Sequence, residues 1–191
     1  MVCVYIKALF KPYLDIIRVY YNKKDFKLMI EQDKKNNKNY RPNVAAVVLS
    51  SKYPLNSDVF IASRIDVKEN AWQFPQGGID DGEDVQTALL RELKEEIGTD
   101  DISVIAEYPT WVSYDFPESV AAKMAPYDGQ TQKYFLVKLN PGAKINIKTD
   151  IPEFDDYKFV PTTNIFDHVT YFKRTVYKEV LKYFRKEGYI S

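Results

Sequence analysis

The sequence predicts an α+β fold, with short strands and two helices in mixed order along one domain. Strand-like apolar runs recur along the chain, at residues 44–49, 58–64, 102–108, 131–139 and 157–160. Two other segments have helical periodicity, one internal at residues 83–97 and one near the end at residues 172–189. Mixed order of this kind, with one internal and one terminal helix, is typical of an α+β sandwich.

The individual elements differ in their expected surroundings. The run at residues 44–49 is almost continuously apolar, which is typical of a strand buried on both faces. We expect a loop between the strands at residues 102–108 and 131–139, because the chain there contains Pro117, Pro126 and Gly129. The terminal helix is expected to end at Gly188.

We expect residues 1–39 to be an amino-terminal extension that ends in a polar linker. We expect residues 40–191 to form the organised domain. The extension has apolar patches, but charged residues interrupt them and leave no apolar span of 18 residues. We therefore expect neither a membrane span nor a secretion signal. Since Met29 lies just before the linker, we also expect residues 1–28 to be dispensable.

Composition sets broad limits on function. The 191 residues carry a formal net charge of zero, which gives no global signal for nucleic-acid binding. After residue 40 the chain holds 18 Lys and Arg against 23 Asp and Glu, a mildly acidic balance that suits a metal site. The single Cys3 excludes an intrachain disulfide, so we expect a cytoplasmic setting.

The chain is organised around the segment from Gly77 to Thr99, which reads as loop, helix and loop. Its helical pattern runs from about Glu83 to Ile97, and Gly98 follows where a helix-ending glycine is favoured. At 3.6 residues per turn, three carboxylates project from one side of this helix, Glu92, Glu95 and Glu96. The other side presents an apolar stripe, Ala88, Leu89, Leu93 and Ile97.

These carboxylates repel one another at i,i+3 and i,i+4, by a few tenths of a kcal/mol for each pair. A bound cation would reverse the sign of this interaction. Carboxylate oxygens are hard ligands that suit Mg²⁺ or Mn²⁺. A solvated acidic helix face is the alternative interpretation of the same three residues.

The spacing of the whole segment separates these interpretations. It fits the pattern G-x5-E-x7-R-E-U-x-E-E-x-G-U, where U is bulky and apolar, with Gly77, Glu83, Arg91, Glu92, Leu93, Glu95, Glu96 and Gly98. Only the final apolar position departs, because Thr99 occupies it. On these residues the chain is identified as a member of the Nudix hydrolase family. The resemblance spans Tyr40 to about Ile190 and implies a mixed β-sheet sandwiched between α-helices.

The resemblance also implies roles for the residues of this pattern. Glu92, Glu95 and Glu96 match the positions that bind Mg²⁺ or Mn²⁺, with more than one ion expected. One of these acids, or another carboxylate, would take the proton from the attacking water, and the sequence leaves that choice open. Glu153 resembles an additional metal-binding acid, with an ordinary loop acid as the alternative.

Three further residues have implied structural roles in the same segment. Glu83 and Arg91 match positions that form a buttressing ion pair, with an ordinary surface pair as the alternative. Gly77, which lies at the metal site, permits close approach of the backbone to a phosphate.

Segments outside this pattern resemble one subgroup of the family, the bacterial RNA pyrophosphohydrolases: YRPNV, WQFPQGGI, GQTQKYFLVKL, PEF and FKRTVY. Such enzymes convert the 5′-triphosphate or diphosphate end of RNA to a monophosphate, which exposes the transcript to decay. The implied substrate contacts are Arg64, Tyr114, Gln130, Gln132, Phe172 and Lys173. Aromatic rings that stack on bases, together with cations that meet phosphates, suit single-stranded RNA. Each contact alone is a weak signal, since Phe172 could equally belong to the core and Lys173 could be a solvated charge.

Several alternatives stay open at this point. The same active site could hydrolyse dinucleoside polyphosphates, such as diadenosine tetraphosphate to ATP and AMP. The chain could instead be a Nudix-like binding module without catalysis, which the three intact acids oppose. The basic amino terminus could tether the protein to a membrane or a decay complex, although we expect no membrane association. The sequence leaves the oligomeric state open.

Overall fold

The computed structural model describes residues 38–67 and 71–191, and residues from Tyr40 to Ser191 form one compact unit. The expectations for residues 1–37, including their dispensability, lie outside the described residues. In the part of the chain that is described, no helix is both long enough and apolar enough to cross a membrane.

Within the described ranges, eight strands form one mixed sheet. Five of them lie side by side in the order β3-β2-β1-β7-β5, while β4 pairs with β1, β6 with β7 and β8 with β2. The strands are β1 (Tyr40–Leu49), β2 (Asp58–Arg64), β3 (Trp72–Gln73), β4 (Gln76–Gly78), β5 (Ile102–Glu107), β6 (Val112–Asp115), β7 (Gly129–Leu139) and β8 (Phe154–Pro161). Only the β1–β7 pair among them is parallel.

The central strands β1 and β7 are buried on both faces, as the continuous apolar run in β1 predicts. Because side chains alternate along a strand, Val44, Ala46 and Val48 enter one apolar cluster, whereas Ala45 and Val47 enter the other. Helix α1 (Val85–Ile97) covers the first face, and helix α3 (Arg174–Lys186) covers the second. The predicted sheet between helices is therefore confirmed.

Local sequence fixes both ends of α1. Asp84 caps the helix, since its Oδ1 accepts hydrogen bonds of 3.0 Å from the backbone N–H groups of Gln86 and Thr87. At the other end, Gly98 has a φ of 72°, and its N–H donates to the carbonyl of Lys94. The expected start of the helix at Glu83 is thus wrong by two residues, because Asp84 is the cap and the helix begins at Val85.

The expected loop between β5 and β7 is also wrong, since it contains strand β6 and a short helix, α2 (Glu118–Met124). None of the side chains of α2 is buried, so it has no apolar stripe that a sequence pattern could reveal. The terminal helix differs at its start. A 3₁₀ turn at Tyr171–Lys173 precedes α3, which therefore begins at Arg174 rather than at residue 172.

Candidate active site

The candidate site forms where β4 passes between helix α1 and the turn that precedes α3. Gln76, the first residue of β4, makes contacts in both directions. Its backbone N–H donates to Glu96 Oε2 on α1 at 2.8 Å, and its side-chain Oε1 accepts from Lys173 Nζ at 2.8 Å. Gln76 therefore joins two groups of residues that are far apart in sequence.

Arg91 organises the loop before α1. Its guanidinium binds Glu83 through two hydrogen bonds, Nε to Oε1 at 2.9 Å and Nη2 to Oε2 at 2.7 Å. Nη2 also donates to the carbonyl of Gly78 at 2.8 Å, and Nη1 contacts Glu92 at 2.7 Å and Glu95 at 3.2 Å. These carboxylates raise the pKa of Arg91, and Arg91 in turn lowers the pKa of Glu83. One side chain thus fixes the loop to the helix.

The three glutamates of α1 have different surroundings. Glu95 is exposed, whereas the side chain of Glu92 is only 13% exposed and Glu96 is only 1% exposed. Although Glu96 Oε2 accepts from the N–H of Gln76, its Oε1 is buried without a hydrogen-bond partner among the described residues. Burial, assisted by Glu153 and Glu92, raises the pKa of Glu96 well above its usual range.

Gly77 lies directly against the Glu92 carboxylate. A Cβ at this position would overlap the carboxylate, so only glycine leaves the side chain of Glu92 in place. Burial raises the pKa of Glu92, and the charges of Glu95 and Glu153 oppose its ionisation further, while Arg91 favours it. The backbone at Gly77 therefore comes close to the Glu92 carboxylate. Its predicted approach to a phosphate stays a prediction.

Glu153 and Arg64 lie at a bulge in the pairing of β2 with β8. Arg64 Nη1 contacts Glu153 Oε2 at 3.2 Å, and Arg64 Nε binds Asp66 at 2.7 Å. The backbone N–H of Ile65 donates to the carbonyl of Glu153 at 3.0 Å. Through these contacts the two residues approach the glutamates of α1 from a different part of the sheet.

We call Glu92, Glu95, Glu96 and Glu153 the carboxylate half of the site. In residues 38–67 and 71–191, no three His, Cys, Asp or Glu side chains form a ready metal-binding group. The chemistry of these acids nevertheless fits a divalent cation. Glu96 Oε1 is buried without a hydrogen-bond partner among the described residues, and burial together with neighbouring acids raises the pKa values of Glu92 and Glu96. A cation would relieve both conditions.

The second group of residues centres on Lys173, and we call it the amide half. Lys173 Nζ donates to Gln73 Oε1 at 2.5 Å as well as to Gln76 Oε1. Gln76 Nε2 donates to Gln130 Oε1 at 3.0 Å, and the Tyr114 hydroxyl donates to the same oxygen at 2.5 Å. The amide half therefore consists of Gln73, Gln76, Tyr114, Gln130 and Lys173.

Three buried residues, Asn43, Gln132 and Tyr134, form a hydrogen-bonded layer next to the amide half. Gln132 faces Asn43 across the parallel β1–β7 pair, and its Nε2 donates to Asn43 Oδ1 at 2.8 Å. The Tyr134 hydroxyl donates to Gln132 Oε1 at 2.6 Å. Since Gln132 Nε2 also lies 3.4 Å from Gln130 Oε1, this layer is continuous with the amide half. Gln132 is completely buried and exposes no surface for the predicted direct contact with a substrate.

Lys173 is buried rather than solvated, with 6% of its surface exposed. Burial lowers the pKa of Lys173 to about 7, and the nearby charge of Arg64 acts in the same direction, whereas Glu96 opposes it. Phe172 is half-buried, packs against the core and lies 5.7 Å from the ring of Tyr114. A buried lysine whose described hydrogen-bond partners are neutral amides is unusual, because burying its charge costs stability.

Sequence reasoning missed several polar residues of the site. Gln73 and Gln76 belong to the WQFPQ segment, but they were not singled out within it. Two glutamines around a Phe-Pro pair, in a segment of large apolar residues, were the available signal. Asn43 carries no such signal, because its partner Gln132 lies on another strand. Asp66 and Tyr134 each bind a residue only two positions away, Arg64 and Gln132, but no pattern in the sequence singles these pairs out.

Comparisons with known proteins identify the family of this chain. A family profile described as a NUDIX domain matches residues 39–182. An RNA pyrophosphohydrolase of a Nitratiruptor species is 68% identical over 152 residues, covering 80% of this chain and 97% of the relative. An RNA pyrophosphohydrolase of Campylobacter jejuni subsp. jejuni is 63% identical over 155 residues, covering 81% of this chain and 99% of the relative.

Solved structures show the same fold at much lower sequence similarity. The E. coli dihydroneopterin triphosphate pyrophosphohydrolase superposes with a TM-score of 0.59 at 20% identity, covering 74% of this chain and 97% of that one. A C. elegans Ap4A hydrolase superposes with a TM-score of 0.55 at 18% identity, covering 76% and 98%. At these identities the likeness concerns the fold alone.

Proposed function

The chain belongs to the Nudix family, and we propose that it is an RNA pyrophosphohydrolase. It hydrolyses a phosphoanhydride bond at the 5′-triphosphate or diphosphate end of RNA and leaves a 5′-monophosphate that exposes the transcript to decay. The observation that carries this proposal is the position of Gln76 between the two halves of the site. Through its backbone N–H and its side-chain oxygen, this one residue links an acid suited to a cation with a buried amine suited to a phosphate, by two hydrogen bonds of 2.8 Å.

Nudix hydrolases generally use divalent metal ions, and the carboxylate half fits this requirement. Glu92, Glu95, Glu96 and Glu153 would hold Mg²⁺ or Mn²⁺, more than one ion being expected. When bound, such ions neutralise phosphate oxygens and lower the pKa of a coordinated water. Arg91 keeps the loop before α1 against the helix and so orients the carboxylates.

The amide half is suited to the phosphate chain. Among the described residues, the Lys173 amine donates its hydrogen bonds to two neutral amides, and its pKa is about 7. A phosphate oxygen would raise that pKa and restore the full positive charge. Arg64 supplies a second cation close by, because its charge already lowers the pKa of Lys173. Gln130 and Tyr114 offer polar atoms beside it, and the aromatic ring of Phe172 provides a surface for the first base.

The relatives support the substrate assignment. Both are named RNA pyrophosphohydrolases, and each is matched over nearly its whole length at more than 60% identity. The residues implied as substrate contacts also come together in space, since Tyr114, Gln130 and Lys173 all belong to the amide half. We infer a cytoplasmic setting, where 5′-phosphorylated transcripts are available.

The experiment is product analysis with 5′-labelled triphosphorylated RNA and Mg²⁺, run in parallel with diadenosine tetraphosphate. We expect monophosphorylated RNA, together with pyrophosphate or successive orthophosphates, and a higher kcat/KM on RNA. Efficient cleavage of the dinucleotide with little or no cleavage of RNA would overturn the proposal. Glu118→Gln, at an exposed acid on α2, is a control that should leave both activities unchanged.

A further inference from the structure

The exposed face of helix α3 carries a continuous row of basic side chains. Residues 171–187 contain six Lys and Arg against two Glu. At 100° per residue, the five that lie on the helix fall within about one third of its circumference, opposite the stripe that packs on the sheet. We call these residues the basic row: Arg174, Lys178, Lys182, Arg185 and Lys186. It is about 18 Å long.

The surroundings of the basic row leave its charge available. No ion pair joins Lys178, Lys182 or Lys186 to a carboxylate in the part of the chain that the structure describes. Glu179, the acid within α3, lies at the edge of the basic row, and its Oε1 accepts a hydrogen bond from the Tyr108 hydroxyl at 2.7 Å. Like charges spaced by four residues, such as Lys178 and Lys182, weaken a helix slightly. By contrast, Arg185 and Lys186 lie in the last turn, where positive charge favours the helix. The two lysines in the middle of the basic row therefore give no benefit to folding.

An exposed aromatic ring lies between the basic row and the site. Tyr171 is 69% exposed, and its ring meets that of Phe172 edge-on at 5.7 Å. Because Tyr171 precedes Arg174 by three residues in a 3₁₀ turn that runs into α3, it lies over the start of the basic row. On its other side, the same turn ends at Lys173 in the amide half.

An exposed aromatic followed by a row of cations matches the requirements of single-stranded nucleic acid. Bases of any sequence stack on aromatic rings, while cations follow the phosphates. We propose that the RNA tract beyond the 5′ end stacks on Tyr171 and runs along the basic row. This inference rests on the proposed function, and it adds a binding surface outside the catalytic site. The enzyme therefore distinguishes longer RNA from a bare 5′-phosphorylated end.

The test compares two triphosphorylated substrates, a dinucleotide and an RNA of about ten nucleotides. We expect Lys178→Glu combined with Lys182→Glu to lower kcat/KM on the longer RNA by about 10-fold or more, mainly through KM. The dinucleotide should be cleaved as before. The salt dependence of log KM should also become shallower, by about 1.4 for two lost phosphate contacts. Tyr171→Ala should likewise affect only the longer RNA.

A control variant changes the same number of lysines elsewhere on the surface, and several results would overturn the proposal. Lys144→Glu combined with Lys148→Glu alters two exposed lysines in a segment that packs on the α1 face of the sheet, and it should change neither substrate. Equal effects of the basic-row variant on both substrates, or no effect on either, would overturn the proposal. So would weaker binding to anionic lipid vesicles with unchanged cleavage of the longer RNA. If the unaltered protein cleaves neither RNA, the proposed function itself fails.

Discussion

The carboxylate half and the amide half meet at Gln76, yet each lacks a different partner. In the carboxylate half, burial and neighbouring acids raise the pKa of Glu96, and one of its oxygens has no described hydrogen-bond partner. In the amide half, burial lowers the pKa of Lys173, whose described hydrogen-bond partners are neutral amides. The first half is short of positive charge and the second is short of negative charge.

This difference indicates that the two halves of the site bind different groups. A divalent cation would satisfy the carboxylates, and a phosphate chain would satisfy the lysine, so a metal-bound phosphorylated end completes both halves together. Each half by itself costs stability, because ionised groups are expensive to bury without a charged partner. Variants that affect only one half therefore test whether the division is real.

The largest expected effect comes from Glu96→Gln. Loss of one carboxylate ligand should lower kcat by about 10³-fold, since metal ions contribute several kcal/mol to such reactions. The fold should survive, because glutamine can still accept the hydrogen bond from Gln76 and no longer buries a carboxylate. Initial rates with saturating RNA measure the first effect, and thermal melting measures the second. A rate close to that of Glu118→Gln would remove Glu96 from the metal site.

A smaller effect is expected from Lys173→Met, and it should appear in the other half. Loss of a charged hydrogen-bond donor should lower kcat/KM on RNA by about 10–100-fold. In the unaltered protein, kcat/KM should also decline as pH rises past about 7, because the free enzyme then loses the charge of Lys173. The variant should lack this decline. An identical pH profile in both proteins would contradict the role assigned to Lys173.

The stability of the same variant gives an independent check with a definite sign. The pKa of Lys173 is about 7 in the folded protein and about 10.5 when unfolded, so the unfolded chain binds more protons between these values. The free energy of unfolding should therefore rise with pH across this window in the unaltered protein. In Lys173→Met this contribution should be absent, whereas Lys144→Met, at an exposed lysine, should retain it.

Arg91→Lys should have a more modest effect, confined to the carboxylate half. Lysine cannot reproduce the two parallel hydrogen bonds to Glu83 together with the contact to Gly78. We expect the Mg²⁺ concentration that gives half-maximal activity to rise by about 10-fold, since residues that orient ligands typically contribute that much. An unchanged Mg²⁺ requirement would show that the loop keeps its position without Arg91.

Much of the carboxylate half could be predicted from the spacing of residues, whereas the amide half was predicted only in part and only from the family resemblance. Glu83, Arg91 and the three glutamates of α1 lie within one short segment, so local spacing reveals them. Tyr114, Gln130, Gln132 and Lys173 were named from resemblance, but their mutual contacts depend on strand register. Gln73, Gln76 and Asn43 were missed, because a buried amide has no sequence signature until its partners are known.

The fold shows the same contrast. Strand β2 was predicted to the residue, at Asp58–Arg64, whereas β1 begins four residues before the predicted run at residues 44–49. The elements that were missed are β3, β4, β6 and α2. They have two to seven residues each, which is too short for a periodic pattern to identify them. The turn at Tyr171–Lys173 was predicted as part of the terminal helix, yet it is this turn that places Lys173 in the site.

The smallest expected effect concerns the amino-terminal extension. A chain that begins at Met29 should keep the activity and melting temperature of the full chain, since the described members of both halves of the site and of both apolar clusters lie after Tyr40. The family profile also begins at residue 39. A large loss of activity or of melting temperature would show that residues 1–28 contribute to the domain.

The most direct test of the division between the halves is the Mg²⁺-dependent shift in melting temperature, because it needs no substrate. We expect about 5 °C or more at saturating Mg²⁺ for the unaltered protein and for Lys173→Met, but a much smaller shift for Glu96→Gln. The shift should grow as pH rises, since the raised pKa of Glu96 makes its ionisation destabilise the metal-free fold. A full shift in Glu96→Gln, with none in Lys173→Met, would contradict the account.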